Sequence, residues 1–116
     1  LPIQYALAYP NRISSLSPRF SFLDYPTLTF EQPDLETFQN LSLAYQALEK
    51  SGNMPCILNA ANEIAVDAFL KDKISFLGMS DLIATCMEKI PFLLQPSLDD
   101  YIQTDELTRI KAIELL

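Results

Sequence analysis

Five of the eight prolines fall in the first 33 residues, at Pro2, Pro10, Pro18, Pro26 and Pro33. Proline lacks an amide hydrogen and its ring collides with the preceding helical turn, so each of these blocks a long helix. The first third is therefore extended, turn-rich or broken into short pieces. Leu1 to Tyr9 suits a short apolar helix that stops before Pro10. The run from Pro26 to Glu31 alternates and uses β-favouring side chains, which predicts a short strand around Thr27–Phe30. Its prolines would keep it at an edge or outside a sheet.

Beyond Pro33 the pattern becomes helical. Asp34 is placed to cap a first helix whose stripe is Phe38, Leu41, Tyr45 and Leu48, with Gly52 as its stop. A second runs from about Pro55 to Leu70, its stripe Ile57, Ala61, Ile64 and Ala68 widened by Ala65 and Phe69. A third carries Met79, Leu82, Ile83, Cys86, Met87 and Ile90 and ends at Pro91. Thr104 is the expected cap of a fourth, with Leu107, Ile110 and Ile113 as its stripe. The expected fold is mainly α, with an arm or linker over residues 1–33 and a four-helix bundle over 34–116. The arm's Phe20, Phe22, Leu23, Tyr25, Leu28 and Phe30 are too apolar to be left bare.

Fifteen acidic residues against eight basic ones give a net charge of −7, and the bases are scattered. That excludes a phosphate-binding surface for nucleic acid and a basic patch for an anionic membrane. No apolar run approaches the ~20 residues that cross a bilayer. The start has neither a basic n-region nor an initiator Met, so the chain is expected to be a piece of something longer. Cys56 and Cys86 sit in apolar helical patterns and are expected to be reduced thiols in a reducing, cytoplasmic setting.

The inventory for chemistry is thin. Without histidine, the commonest general base and zinc ligand are missing. Two glycines, Gly52 and Gly78, cannot build a phosphate loop. Asp99, Asp100, Asp105 and Glu106 read as solvated caps and turn residues. The exception in character is Leu58–Val66, where Asn59, Asn62 and Glu63 stand among alanines. With Asp67 they fall on one helix face. That face is either wet or a contact with a neighbouring domain, because amides on an alanine-rich helix can bond a segment at close range. No residue is assigned a catalytic, cofactor-binding or metal-binding role.

Several segments, in order, resemble a known family. Leu58–Val66 with Ala68-Phe69-Leu70 and Ile74-Ser75-Phe76 is similar to the C-terminal region of the 1-deoxy-D-xylulose 5-phosphate reductoisomerases. So are Leu1–Leu7 with Tyr9-Pro10-Asn11-Arg12, Thr27–Phe30 with Pro33-Asp34, and Leu43–Ala47. Tyr9 stands where the family often has Trp, and Leu77–Ser80 departs from some members. The resemblance implies an α/β parent enzyme, a homodimer, that makes 2-C-methyl-D-erythritol 4-phosphate for non-mevalonate isoprenoid synthesis. It would use NADPH and Mg2+ or Mn2+. This chain would be the end of its catalytic domain, the linker and a C-terminal helical domain, with the nucleotide, metal and phosphate residues all upstream of Leu1. The fragment would bind no cofactor and support the catalytic domain, with Asn59, Asn62 and Glu63 in a structural or inter-domain role. The competing reading is a free-standing acidic helical module that binds a protein partner.

Overall fold

The computed structural model describes residues 2–116. Leu1, where the first helix is expected to begin, lies outside the described residues. The chain separates into two units, Leu1–Gln32 and Pro33–Leu116.

The first unit contains one short helix, α1 (Pro2–Ala8), with no buried residue. The guanidinium of Arg12 lies 5.1 Å from the Tyr5 ring centroid, and Tyr5 meets Tyr9 edge-on. Farther along, Phe20 packs edge-on against Phe22 and stacks on Tyr25. The strand expected over Thr27–Phe30 does not form; among the described residues every regular element is a helix. Alternation alone cannot make a strand. A ladder needs a partner, and Pro26 and Pro33 bracket this run.

The second unit holds α2 (Gln39–Lys50), α3 (Met54–Leu70), α4 (Phe76–Lys89) and α5 (Leu98–Glu114). Two of the expected starts are corrected. Asp34 accepts bonds from the amides of Glu36 (3.1 Å) and Thr37 (2.9 Å), which closes a single turn, and α2 begins only at Gln39. These amides hold the Asp34 carboxyl below its ordinary range. The last helix is capped not by Thr104 but by Ser97. Ser97 Oγ accepts from the Asp100 amide at 3.2 Å, and Asp100 accepts in return from the Ser97 amide at 2.9 Å. A capping box satisfies two orphan amides at once and outcompetes a lone threonine. Asp99 and Asp100 thus belong to the first turn of α5, where carboxylates suit the helix dipole.

α3 is the central element and touches each of the other three bundle helices. Its buried face is mostly alanine: Ala60, Ala61, Ala65 and Ala68, with Met54 and Ile57 toward its start. Alanine keeps helix propensity high and lets a neighbouring helix approach closely. α4 presents Met79, Leu82, Ile83 and Cys86 to this core, as its period predicts.

α2 and α5 differ from the expected pattern. α2 buries Leu43 and Ala47, whereas Leu41, Tyr45 and Leu48 are 39%, 58% and 72% exposed. α5 buries Thr104, Thr108 and Ala112, and its Leu107, Ile110 and Ile113 face outward. On α5 the small residues go inward, and on α2 Ala47 does so beside Leu43. On α5 the hydroxyls are satisfied: Thr108 Oγ donates to the Thr104 carbonyl at 2.6 Å, and Thr104 Oγ accepts from Asn53. Burying them is therefore cheap.

Candidate functional site at the seam of α3 and α5

Two polar arrangements tie α5 to α3. The first centres on Asn53, fully buried at the start of α3. Its Nδ2 donates to the Pro91 carbonyl (3.0 Å) and to Thr104 Oγ (3.1 Å). Its Oδ1 accepts from the Leu93 amide at 2.9 Å, and its own amide donates to the Leu93 carbonyl at 3.0 Å. One side chain thus joins the α2–α3 turn, the α4–α5 connection and the second turn of α5.

The backbone before it is shaped to fit. Ser51 (φ 59°, ψ −148°) and Gly52 (φ 56°) both turn left-handed. A Cβ on Gly52 would overlap the Leu93 carbonyl oxygen and press on Phe92. Glycine is required here by φ and by close approach. The Tyr101 hydroxyl donates to the Gly52 carbonyl at 3.2 Å, and Lys50 lies 5.1 Å from the Phe92 ring centroid, which adds two clasps.

The second arrangement lies along the outer edge of the seam. Arg109 donates from Nε to Asp105 Oδ2 (2.6 Å) and from Nη2 to Asp105 Oδ1 (3.1 Å), one turn back. The same Nη2 reaches Glu63 Oε2 at 2.9 Å. Asn59 Nδ2 donates to the other Glu63 oxygen at 3.3 Å. The hydrogen bonds to Asp105 and then to Glu63 hold Arg109 firmly protonated. Asn59 and Glu63 are exposed and Asn62 is half-buried. Asp67 pairs with Lys71 at 2.8 Å and does not join this set.

Geometry therefore brings Asn59 and Glu63 together and adds two residues of α5 that sequence reading had not joined to them. It leaves Asn62 beside the network without a part in it. Pairing across helices is invisible in one sequence, but Asp105 and Arg109 are four apart, a spacing that signals a pair on one helix face. Asn53 was missed altogether. The available signal was an amide wedged between a left-handed glycine and a helix start at Met54-Pro55.

The chemical capacity of these groups is limited. Burial pushes the Cys56 thiol up, the Asp105 charge adds to this and Arg109 partly offsets it. Burial raises Cys86 too, against Lys111 and Lys89. Neither thiol is made into a ready nucleophile. Among the described residues no three His, Cys, Asp or Glu side chains converge to hold a metal ion, and no helix is long and apolar enough to cross a membrane. Asn53 and the Glu63–Arg109 pair join separate elements of the bundle, which is the arrangement of a brace.

Known proteins match this chain over nearly its whole length. The family model for the DXP reductoisomerase C-terminal domain matches residues 1–111. The chain is 57% identical over 116 residues to a 1-deoxy-D-xylulose 5-phosphate reductoisomerase of Phocaeicola vulgatus, covering all of this chain and 30% of that protein. It is 51% identical over 109 residues to one from Clostridium botulinum, covering 94% of this chain and 28% of that protein. Among solved structures, the reductoisomerase of Zymomonas mobilis in complex with NADPH superposes with a TM-score of 0.81 at 36% identity, over 98% of this chain and 30% of that one. A reductoisomerase with fosmidomycin and magnesium gives the same TM-score at 31% identity, over 98% of this chain and 31% of that one. The chain thus spans about 30% of the relatives it matches. It belongs to the DXP reductoisomerase C-terminal domain family.

Proposed function

We propose that this chain is the C-terminal part of a 1-deoxy-D-xylulose 5-phosphate reductoisomerase, an NADPH-dependent enzyme of isoprenoid synthesis, and that its helical unit braces the catalytic portion without supplying reacting groups. The observation that carries the reading is identity above 50% along the whole chain to relatives more than three times its length. The closed polar seam agrees: Glu63 is spent on Arg109 of α5 and Asn59 on Glu63, and Asn62 is the amide left over for a contact beyond this chain. Among the described residues no three His, Cys, Asp or Glu side chains converge as a metal site would need. In this reading NADPH and Mg2+ or Mn2+ are held upstream, in a homodimeric cytoplasmic enzyme.

The test is a comparison of two proteins from one reading frame. The longer polypeptide should oxidise NADPH when given 1-deoxy-D-xylulose 5-phosphate and a divalent cation. The 116 residues alone should neither do so nor bind the nucleotide. Turnover by the short chain would overturn the reading. The alternative, a free-standing interaction module, predicts no coding sequence upstream of Leu1, whereas the relatives reported above are more than three times this length.

A further inference from the structure

We infer that the outward face of α2 is the surface on which this bundle seats against the upstream portion of its own polypeptide. The inference rests on the functional reading above, since it takes its occupant from it. The face is built by Leu41, Tyr45 and Leu48, three and four residues apart on the side opposite the buried Leu43 and Ala47. A surface helix ordinarily turns its large apolar side chains inward and its polar ones out. Here Leu43 faces in but three large apolar side chains face out, and they are not masked by charge: α2 carries no charged residue before Glu49. The outward apolar residues of α5 are different, because they stand among Glu106, Arg109 and Glu114.

The face continues past the start of α2. Phe38, Phe76 and Leu77 are 55%, 50% and 59% exposed. Phe76 meets Phe38 and Phe69 edge-on, with centroids 6.4 and 5.9 Å away. Between these residues and Leu41 opens a cavity of about 260 Å3. It has room for an apolar side chain from another surface. An open apolar notch beside an apolar helix face is a poor surface to leave exposed.

Area decides the occupant. A helix of 12 residues is about 18 Å long, so its outer face covers on the order of 200 Å2, and the patch at its start adds a similar amount. Freely associating copies need roughly 800 Å2 per partner, because they must offset lost translational and rotational freedom. A tethered partner has an effective concentration in the millimolar range and holds with less. Seventy per cent of the relatives' length lies outside this chain, so such a partner is available in them.

Hydroxyl-radical footprinting of Tyr45, read by mass spectrometry, tests the inference on the 116-residue chain and on the longer polypeptide. Tyr45 should be oxidised at least fivefold more slowly in the longer protein, and at a rate independent of concentration in the short one. Equal rates in the two would overturn it. So would protection that grows with the concentration of the short chain, which would make a second copy the occupant. In addition, Leu48→Gln should leave melting of the short chain unchanged and lower that of the longer protein by several degrees; an unchanged longer protein counts against the inference. Turnover measured on the same samples separates the two ideas. An active enzyme with Tyr45 freely labelled sinks the docking face alone, and an inactive one with Tyr45 protected sinks the functional reading alone.

Discussion

Asn53→Ala should be among the most damaging single changes in this chain. The substitution deletes three side-chain hydrogen bonds, to Pro91, Leu93 and Thr104. Pro91 and Leu93 are exposed enough for water to replace part of the loss, so each costs about 1 kcal/mol. Thr104 is only 4% exposed, and stranding its hydroxyl costs about 1–3 kcal/mol. The total, about 3–5 kcal/mol, is a large share of the roughly 4–13 kcal/mol that stabilises a unit of this size. At about 4–8 °C per kcal/mol, the melting temperature should fall by more than about 12 °C. Thermal melts followed by far-UV circular dichroism measure it directly, with Asn59→Ala as the exposed control, expected within about 0.5 kcal/mol of the parent. Asn53→Asp adds a sign. Its carboxylate would be buried against an acceptor, Pro91 O, where the amide had donated, so desolvation and lone-pair repulsion would raise its folded pKa above the unfolded ~3.9. Its stability should therefore recover as pH falls from 7 toward 4. A fall of under 5 °C for Asn53→Ala, or no recovery for Asn53→Asp in acid, would refute the idea that this side chain latches the bundle.

Ser51→Gly should stabilise the chain by about 0.5–1.5 kcal/mol, because relief of a strained backbone worth about 1–3 kcal/mol outweighs the added freedom of glycine in the unfolded chain; urea melts check this. Gly52→Ala should cost more than about 2 kcal/mol in the same melts, since the methyl group meets backbone that cannot move aside. Ser97→Ala should cost about 1 kcal/mol through loss of the cap. It should also flatten the acid limb of a stability-pH curve. Ser97 holds the Asp100 carboxyl below 3.8, so that contribution is present above the unfolded pKa and is lost as pH falls through the lower folded one. Asn62→Leu should leave melting of the 116 residues nearly unchanged and lower both turnover and melting of the longer enzyme; no change in either would return Asn62 to a wet surface.

Much of the fold was legible because it rests on local chemistry. The prolines ended α1 and kept the arm irregular, and the stripes of α3 and α4 pointed to most of the residues that are buried, with Ile64, Phe69 and Met87 only half-buried. The two reversed faces share one cause. Leu41, Tyr45 and Leu48 on α2, and Leu107, Ile110 and Ile113 on α5, have the period of a buried stripe, but the period says only that one face is apolar. Which face a neighbour covers depends on the neighbour. The candidate site failed in part for the same reason. Asn59 and Glu63 were visible as a pair, whereas Arg109 lies 46 residues beyond Glu63, and no local pattern joins them.

The neighbour in question is α3, and its alanines explain the two reversals together. A helix that presents Ala60, Ala61, Ala65 and Ala68 leaves little depth for a partner's leucines. Thr104, Thr108 and Ala112 fit close to such a surface, and so does Ala47 on α2. Close approach in turn lets Asn53 reach Thr104 and lets Glu63 reach Arg109. The cost is that, Leu43 apart, the large apolar stripes of both outer helices are pushed to the surface. Replacing Ala61 with leucine tests this chain of cause directly. In a well-packed core the added bulk should cost about 1–3 kcal/mol and spread the helices. If spreading is the mechanism, the Asn53 latch lengthens too, and Ala61→Leu combined with Asn53→Ala should cost less than the sum of the two single changes. Strict additivity in that double-mutant cycle would mean that the alanine face and the polar seam are independent, and that the outward leucines need another explanation.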